Sequence, residues 1–100
     1  MTIKELDAIN RSDVCLYSCM FTVDNVPEEY TNNAKEVDGE NYMEDCMVVH
    51  AYYDNKNNTM MYNLLYITDD GEDLEWPCKL NEKDEIKMLD MIRKELDYEN

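Results

Sequence analysis

His50 is the only histidine of this 100-residue chain, and Cys46 stands four residues before it. On a helix that spacing sets a thiol beside an imidazole, the pairing that activates a cysteine nucleophile. The surrounding residues, Cys46 to Tyr53, are rich in Val and Tyr and predict a strand instead. A strand holds positions four apart at ~13 Å. No catalytic role is therefore expected, and His50 is expected to meet a tyrosine or a carboxylate within the sheet.

Four cysteines raise the question of zinc. Structural zinc draws its ligands in close pairs, two to four residues apart. Cys15 and Cys19 have that spacing, but their segment alternates like a strand, which separates them too far for a shared ion or a disulfide. Cys46 and Cys78 stand alone. Free thiols in or near the core of a cytosolic protein are the expectation, with no metal and no cofactor.

Calcium is the closer case. Asp69-Asp70-Gly71-Glu72-Asp73-Leu74-Glu75 places five carboxylates in seven residues. A calcium-binding loop of the EF-hand type wants alternating ligands before its glycine and a glutamate six residues after it. Here the glycine comes too early and position 77 is proline, so only a weak, adventitious divalent site is expected. Glycine-rich phosphate loops and basic patches are missing from the sequence, which argues against direct binding of nucleotides or nucleic acid.

The abundant chemistry is carboxylate, and it is unevenly placed. Residues 24–78 hold fourteen Asp or Glu against two cations, Lys35 and Lys56, a net charge of −12 out of −15 for the chain. A field of one sign over half a small protein keeps it soluble and selects cationic partners. Two runs carry most of it. One is Glu36, Asp38, Glu40, Glu44 and Asp45; the other is Asp69, Asp70, Glu72, Asp73 and Glu75. Tyr42 and Trp76 lie beside them and are candidate anchoring aromatics, since interface hot spots favour such residues.

Eight tyrosines, eight methionines and one tryptophan argue against a disordered chain and for one modest core in a single domain. Thr2 followed by Glu5 has the spacing of a capping box and predicts a short helix over Ile3 to Asn10. Asp13 to Val23 alternates, with Cys15, Tyr17, Cys19, Phe21 and Val23 on one face of a strand. Residues 24–44 lack a period and read as a loop, with a helical turn near Pro27 to Asn32. Cys46 to Tyr53 and Met60 to Ile67 predict a hairpin around Asn55-Lys56-Asn57-Asn58. Asp73 to Cys78 returns as a short edge strand ending at Pro77. Asn81 caps a C-terminal helix with an apolar stripe of Ile86, Leu89, Ile92 and Leu96. The predicted architecture is α+β: an antiparallel sheet of three to four strands, with a short N-terminal helix and a longer C-terminal helix packed on one face.

The N-terminus lacks the apolar stretch of a retained signal peptide, and no apolar run reaches the ~18 residues that span a bilayer. A cytoplasmic protein with no membrane partner is expected. In size and charge the chain resembles small acidic nucleic-acid mimics, among them phage anti-restriction and anti-CRISPR inhibitors. That resemblance rests on the acids of residues 24–78, covers no motif and assigns no residue roles. It implies a partner that is a basic nucleic-acid-binding protein or enzyme, whose groove the acids would fill. The alternative is a non-catalytic interaction module or a homodimer associating through a sheet face or edge, because both faces of the Val48–Tyr53 strand are apolar.

Overall fold

The computed structural model describes residues 1–99, with side chains through Asp97. It is an α+β fold with one five-stranded antiparallel sheet in the order β1-β2-β3-β4-β5 and two helices. The strands are β1 (Thr2–Arg11), β2 (Leu16–Asp24), β3 (Met47–Asp54), β4 (Thr59–Ile67) and β5 (Asp73–Pro77). The helices are α1 (Glu28–Asp38) and α2 (Glu82–Glu99). Both bury their inner residues against the same sheet face, where Cys19, Phe21, Met47, Val49, Ala51, Tyr53, Leu64 and Tyr66 form the core with Ala34, Met88 and Ile92.

Three features differ from the sequence reading. The N-terminal segment is a strand, not a helix, which raises the sheet to five strands. Ile3, Leu6 and Ile9 recur every three residues, a helix-like period. They pair with Val23, Phe21 and Cys19, which recur every two, because register shifts between Ile3 and Glu5 and between Leu6 and Ala8 each absorb one extra residue. Two bulges thus bring a three-residue repeat onto one face of a strand.

The second difference is α1, in a segment read as loop. Its inward stripe is Tyr30, Ala34 and Asp38, at four-residue spacing, and only Ala34 is aliphatic. A hydrophobic period is invisible in such a stripe. Gly39 ends the helix at φ +55, a left-handed conformation suited to glycine, and its N–H donates to the Lys35 carbonyl.

The third lies in α2. Asn81 caps it as expected, its Oδ1 accepting the Asp84 N–H at 2.8 Å. The buried stripe, however, is Asp84, Met88, Ile92 and Leu96, while Ile86 is exposed. Residues 84, 88, 92 and 96 repeat every four and stay on one side, whereas Ile86 precedes Met88 by 200° of helical turn.

Asp84 has a structural task. The Ile3 N–H donates to Asp84 Oδ1 at 3.2 Å, and the Lys87 ammonium donates to the Ile3 carbonyl at 2.6 Å. Helix α2 thereby occupies backbone groups of the edge strand that would otherwise be open to another chain. Asp84→Ala is expected to cost about 1–3 kcal/mol by leaving the buried Ile3 donor without an acceptor. Urea denaturation checks this, and an unchanged midpoint would mean that the clasp contributes nothing.

Tyrosines of the core face hold the loops. The Tyr62 hydroxyl accepts the Leu80 N–H at 2.9 Å, and the Tyr53 hydroxyl donates to Asn58 Oδ1 at 2.9 Å. Asn58 adopts φ +54 in the hairpin loop, and Asp54 accepts the N–H groups of Lys56 and Asn57. These are the local bonds that make Asn and Asp good turn residues.

Candidate functional site

The antiparallel register fixes where the acidic loops go. Thr2 pairs with Asp24, Thr22 with Val48, Met47 with Tyr66 and Ile67 with Asp73, so these residues mark one end of the sheet. The segment before β3 and the β4–β5 turn both open at that end. They carry Glu44 and Asp45, and Asp69, Asp70 and Glu72. The opposite end holds the β1–β2 and β3–β4 turns, where Arg11 and Lys56 accompany Asp13 and Asp54. The charge of the molecule is therefore polarised along the strands.

Tyr66 ties the acidic segments together. Its hydroxyl donates to Asp38 Oδ2 at 2.5 Å and accepts the Met43 N–H at 3.3 Å. Asp38 Oδ2 also accepts the Asp69 N–H at 3.1 Å. The end of α1, the turn before Glu44 and the turn at Asp69 thus meet at one phenol. The two acid runs, 31 residues apart in sequence at Asp38 and Asp69, are joined by direct hydrogen bonds. The α1 C-terminus adds its partial negative charge at the same place.

Burial, and next the Asp38 carboxylate that accepts its proton, push the Tyr66 hydroxyl up from its ordinary 10 to about 12. A raised pKa means that the neutral phenol is the form favoured by the fold. Its contribution is complete below pH 10 and is lost as pH climbs toward 12. Asp38→Ala is expected to lower the Tyr66 pKa and to destabilise the fold by about 1–3 kcal/mol, since a buried hydroxyl loses its acceptor. A phenolate absorbance titration follows the first effect and urea denaturation the second. An unmoved titration would dismiss the Asp38 contact as a determinant.

The ten run carboxylates divide by exposure. Glu36, Glu40, Glu44, Asp45, Asp69, Asp70, Glu72, Asp73 and Glu75 are exposed, while Asp38 is half-buried and committed to Tyr66 and Asp69. Among the described residues, ion pairs join Lys4 to Asp24, Lys79 to Glu85 and Lys94 to Asp90, so none takes a run carboxylate. Lys35 lies over the Tyr42 ring, 5.3 Å from its centroid. Glu75 accepts the Asn63 side-chain N–H at 3.0 Å.

The two aromatics beside the runs face inward. Trp76 is half-buried with its ring 5.5 Å from that of Tyr30, and Tyr42 stacks on Tyr66 at 5.5 Å. The apolar side chains exposed among the acids are instead Val37 and Met43, at 52% and 57%. Sequence reasoning passed over both, since they fall in a segment without a period. It also passed over Glu5 and Asp7, which line one 430 Å³ hollow with Lys4, Asp24, Glu44 and Asp45. The Thr2–Glu5 spacing places those two acids on a helix, and only the strand brings them to Glu44 and Asp45. The result is an acidic belt running across the sheet from strands β1 and β2 to β5.

Compared with family models, curated proteins and solved structures, the chain matches none.

Among the described residues, no group of three or more His, Cys, Asp or Glu is placed to hold a metal ion. The four cysteines are free, and burial pushes the Cys19 thiol up to about 11. His50 pairs across strands with Ser18, Nε2 to Oγ at 2.8 Å, and its ring lies 4.7 Å from that of Tyr52. A serine and a base at that distance also need donors for an oxyanion before acyl transfer is practicable. Here β2 pairs on both sides, with β1 and with β3, so its backbone donors near Ser18 are committed to the sheet. No helix among the described residues is long and apolar enough to cross a membrane.

Proposed function

We propose that this protein binds a basic nucleic-acid-binding protein or enzyme and blocks it, presenting the acidic belt where that target expects a phosphate backbone. The observation that carries the reading is the Tyr66 hub. It gathers the end of α1, the segment before Glu44 and the Asp69 turn, and none of their exposed acids is in an ion pair among the described residues. Five strands set four spacings of ~4.8 Å, a width of ~19 Å. Duplex DNA shows about eleven charges over that length. The belt offers a similar density through Glu5, Asp7, Glu40, Glu44, Asp45, Asp69, Asp70, Glu72, Asp73 and Glu75, leaving aside Asp24, which is paired with Lys4, and Asp38, which is committed to Tyr66. A groove of Lys and Arg would be drawn to it quickly, and the nucleic acid would be excluded. On this reading the protein acts in the cytoplasm, in the manner of anti-restriction or anti-CRISPR inhibitors carried by mobile elements, without touching nucleic acid itself.

Affinity capture on the immobilised protein from host lysate at low salt tests this. A nucleic-acid-binding protein should be retained, then released both by a salt gradient and by competing duplex DNA or RNA. Retention indifferent to salt would refute the proposal.

A second reading, homodimeric assembly, draws on the uncovered sheet face, where Leu16, Tyr52 and Met61 are 40%, 51% and 77% exposed. Sedimentation at several concentrations decides it, because a monomer throughout removes it.

A further inference from the structure

Both helices lie on one side of the sheet, so among the described residues no layer covers the other side. The residues there alternate with the core set. Ser18 stands opposite Tyr52, Met20 opposite His50, Tyr52 opposite Met61, and Val48 opposite Leu65. Val48 and Leu65 are 6% and 3% exposed without belonging to the helix-covered core, and on this face their register neighbours are Thr22 and Glu75, with His50 and Asn63 next along the strands. Across β2, β3 and β4 the charged residues that alternate onto this face are Asp24 and Asp54, one at each end of the sheet, with Asp54 at the hairpin end opposite Leu16. In a chain where one residue in three is charged, a neutral centre of that kind matches the charge-depleted middle of a protein interface. Beyond it, on β5, Asp73 and Glu75 point to the same side.

The occupant can be argued from charge. A second copy would bring the same acidic rim, Asp54, Asp73 and Glu75, and another net charge of −15 against this one. A partner with apolar side chains framed by Lys or Arg meets both the neutral centre and the acidic edge. Asp73 and Glu75 belong to the belt and to this rim alike, so one basic body can touch both surfaces. We infer that the uncovered face, centred on Tyr52 and Met61, is the apolar part of the site for the same cationic protein partner. The inference rests on the function proposed above and names how that partner is held: the belt attracts it, and the face anchors it.

Two synthetic peptides of equal length and charge separate the contributions, one alternating Lys with Leu and one alternating Lys with Ser. The Lys–Leu peptide should bind at least tenfold more tightly, and its advantage should persist at high salt. Tyr52→Ser with Met61→Ser should erase that advantage while leaving Lys–Ser binding unchanged. Should the double variant melt early, Met61→Ser alone carries the test, since a side chain 77% exposed contributes little to folding. Equal affinities on the wild-type protein would overturn the inference. So would an advantage that the variants leave intact, or a wild-type dimer in sedimentation that Met61→Ser dissolves. Loss of Lys–Ser binding at low salt would instead defeat the belt, a separate failure.

Discussion

Replacing Asp69, Asp70, Asp73 and Glu75 with lysine is expected to weaken binding of the captured partner on the order of a hundredfold at low ionic strength. An exposed ion pair is worth about 0.2–1 kcal/mol, and a reversal turns each attraction into repulsion. Four such reversals sum to about 1.6–8 kcal/mol, and a hundredfold loss, about 2.7 kcal/mol, lies in the lower part of that range. Each swap changes the charge by two, so four of them take the net charge from −15 to −7. All four side chains are exposed, and the Asp69 backbone N–H that bonds Asp38 is retained, so the fold should persist. The companion variant reverses Asp13 and Asp97, which are exposed and lie outside the belt. If net charge alone matters, each reversal costs the same wherever it is made. If the belt matters, the companion loses little. Raising the salt to 1 M shortens the Debye length to ~3 Å and should bring the wild-type protein and both variants together. Isothermal titration across salt concentrations reads all of this, and equal losses per reversal would end the claim for a localised surface.

Phe21→Ala is expected to lower folding stability by about 3–5 kcal/mol. Phe21 is fully buried and sits on the core face of β2, in register with Leu6 on one side and Val49 on the other. Its strand pairs on both sides, so the surroundings cannot collapse into the space left behind without disturbing two ladders. A domain of this size has about 5–15 kcal/mol in all, so a loss of that size removes between about a fifth and nearly all of it. Met61→Ala, on the uncovered face, should stay within about 0.5 kcal/mol. Urea denaturation of both is the measurement. A loss below about 1 kcal/mol at Phe21 would mean that the two helices do not press on the sheet as described.

The parts of the fold that could be read in advance are those where one local period dominates. The β3–β4 hairpin has β-branched and tyrosine-rich strands around an Asn-rich turn, and it formed within a residue or two of expectation. Helix α2 announces itself through Asn81 and its apolar repeat, although the stripe pivots on Met88 rather than Ile86. Segments that depend on distant partners could not be read in this way. Strand β1 mimics a helix because its bulges are set by β2, and α1 hides because its inward face offers Tyr30 and Asp38 to Trp76 and Tyr66.

The same division holds for the candidate site. Sequence alone determined that residues 24–78 carry a large unbalanced negative charge, because charge is a property of composition and needs no fold. It determined too that the charge falls in two runs, outside the most apolar strands. Only the tertiary structure decided that those runs adjoin. Asp38 reaches Asp69 because alternating strand directions return both to one end of the sheet, where a buried phenol needs a polar partner. Tertiary structure also turned Trp76 and Tyr42 inward and put both helices on one side, leaving Tyr52 and Met61 in the open. Which face of a two-sided apolar strand is covered is settled by where the chain crosses over, and long-range packing governs that crossing.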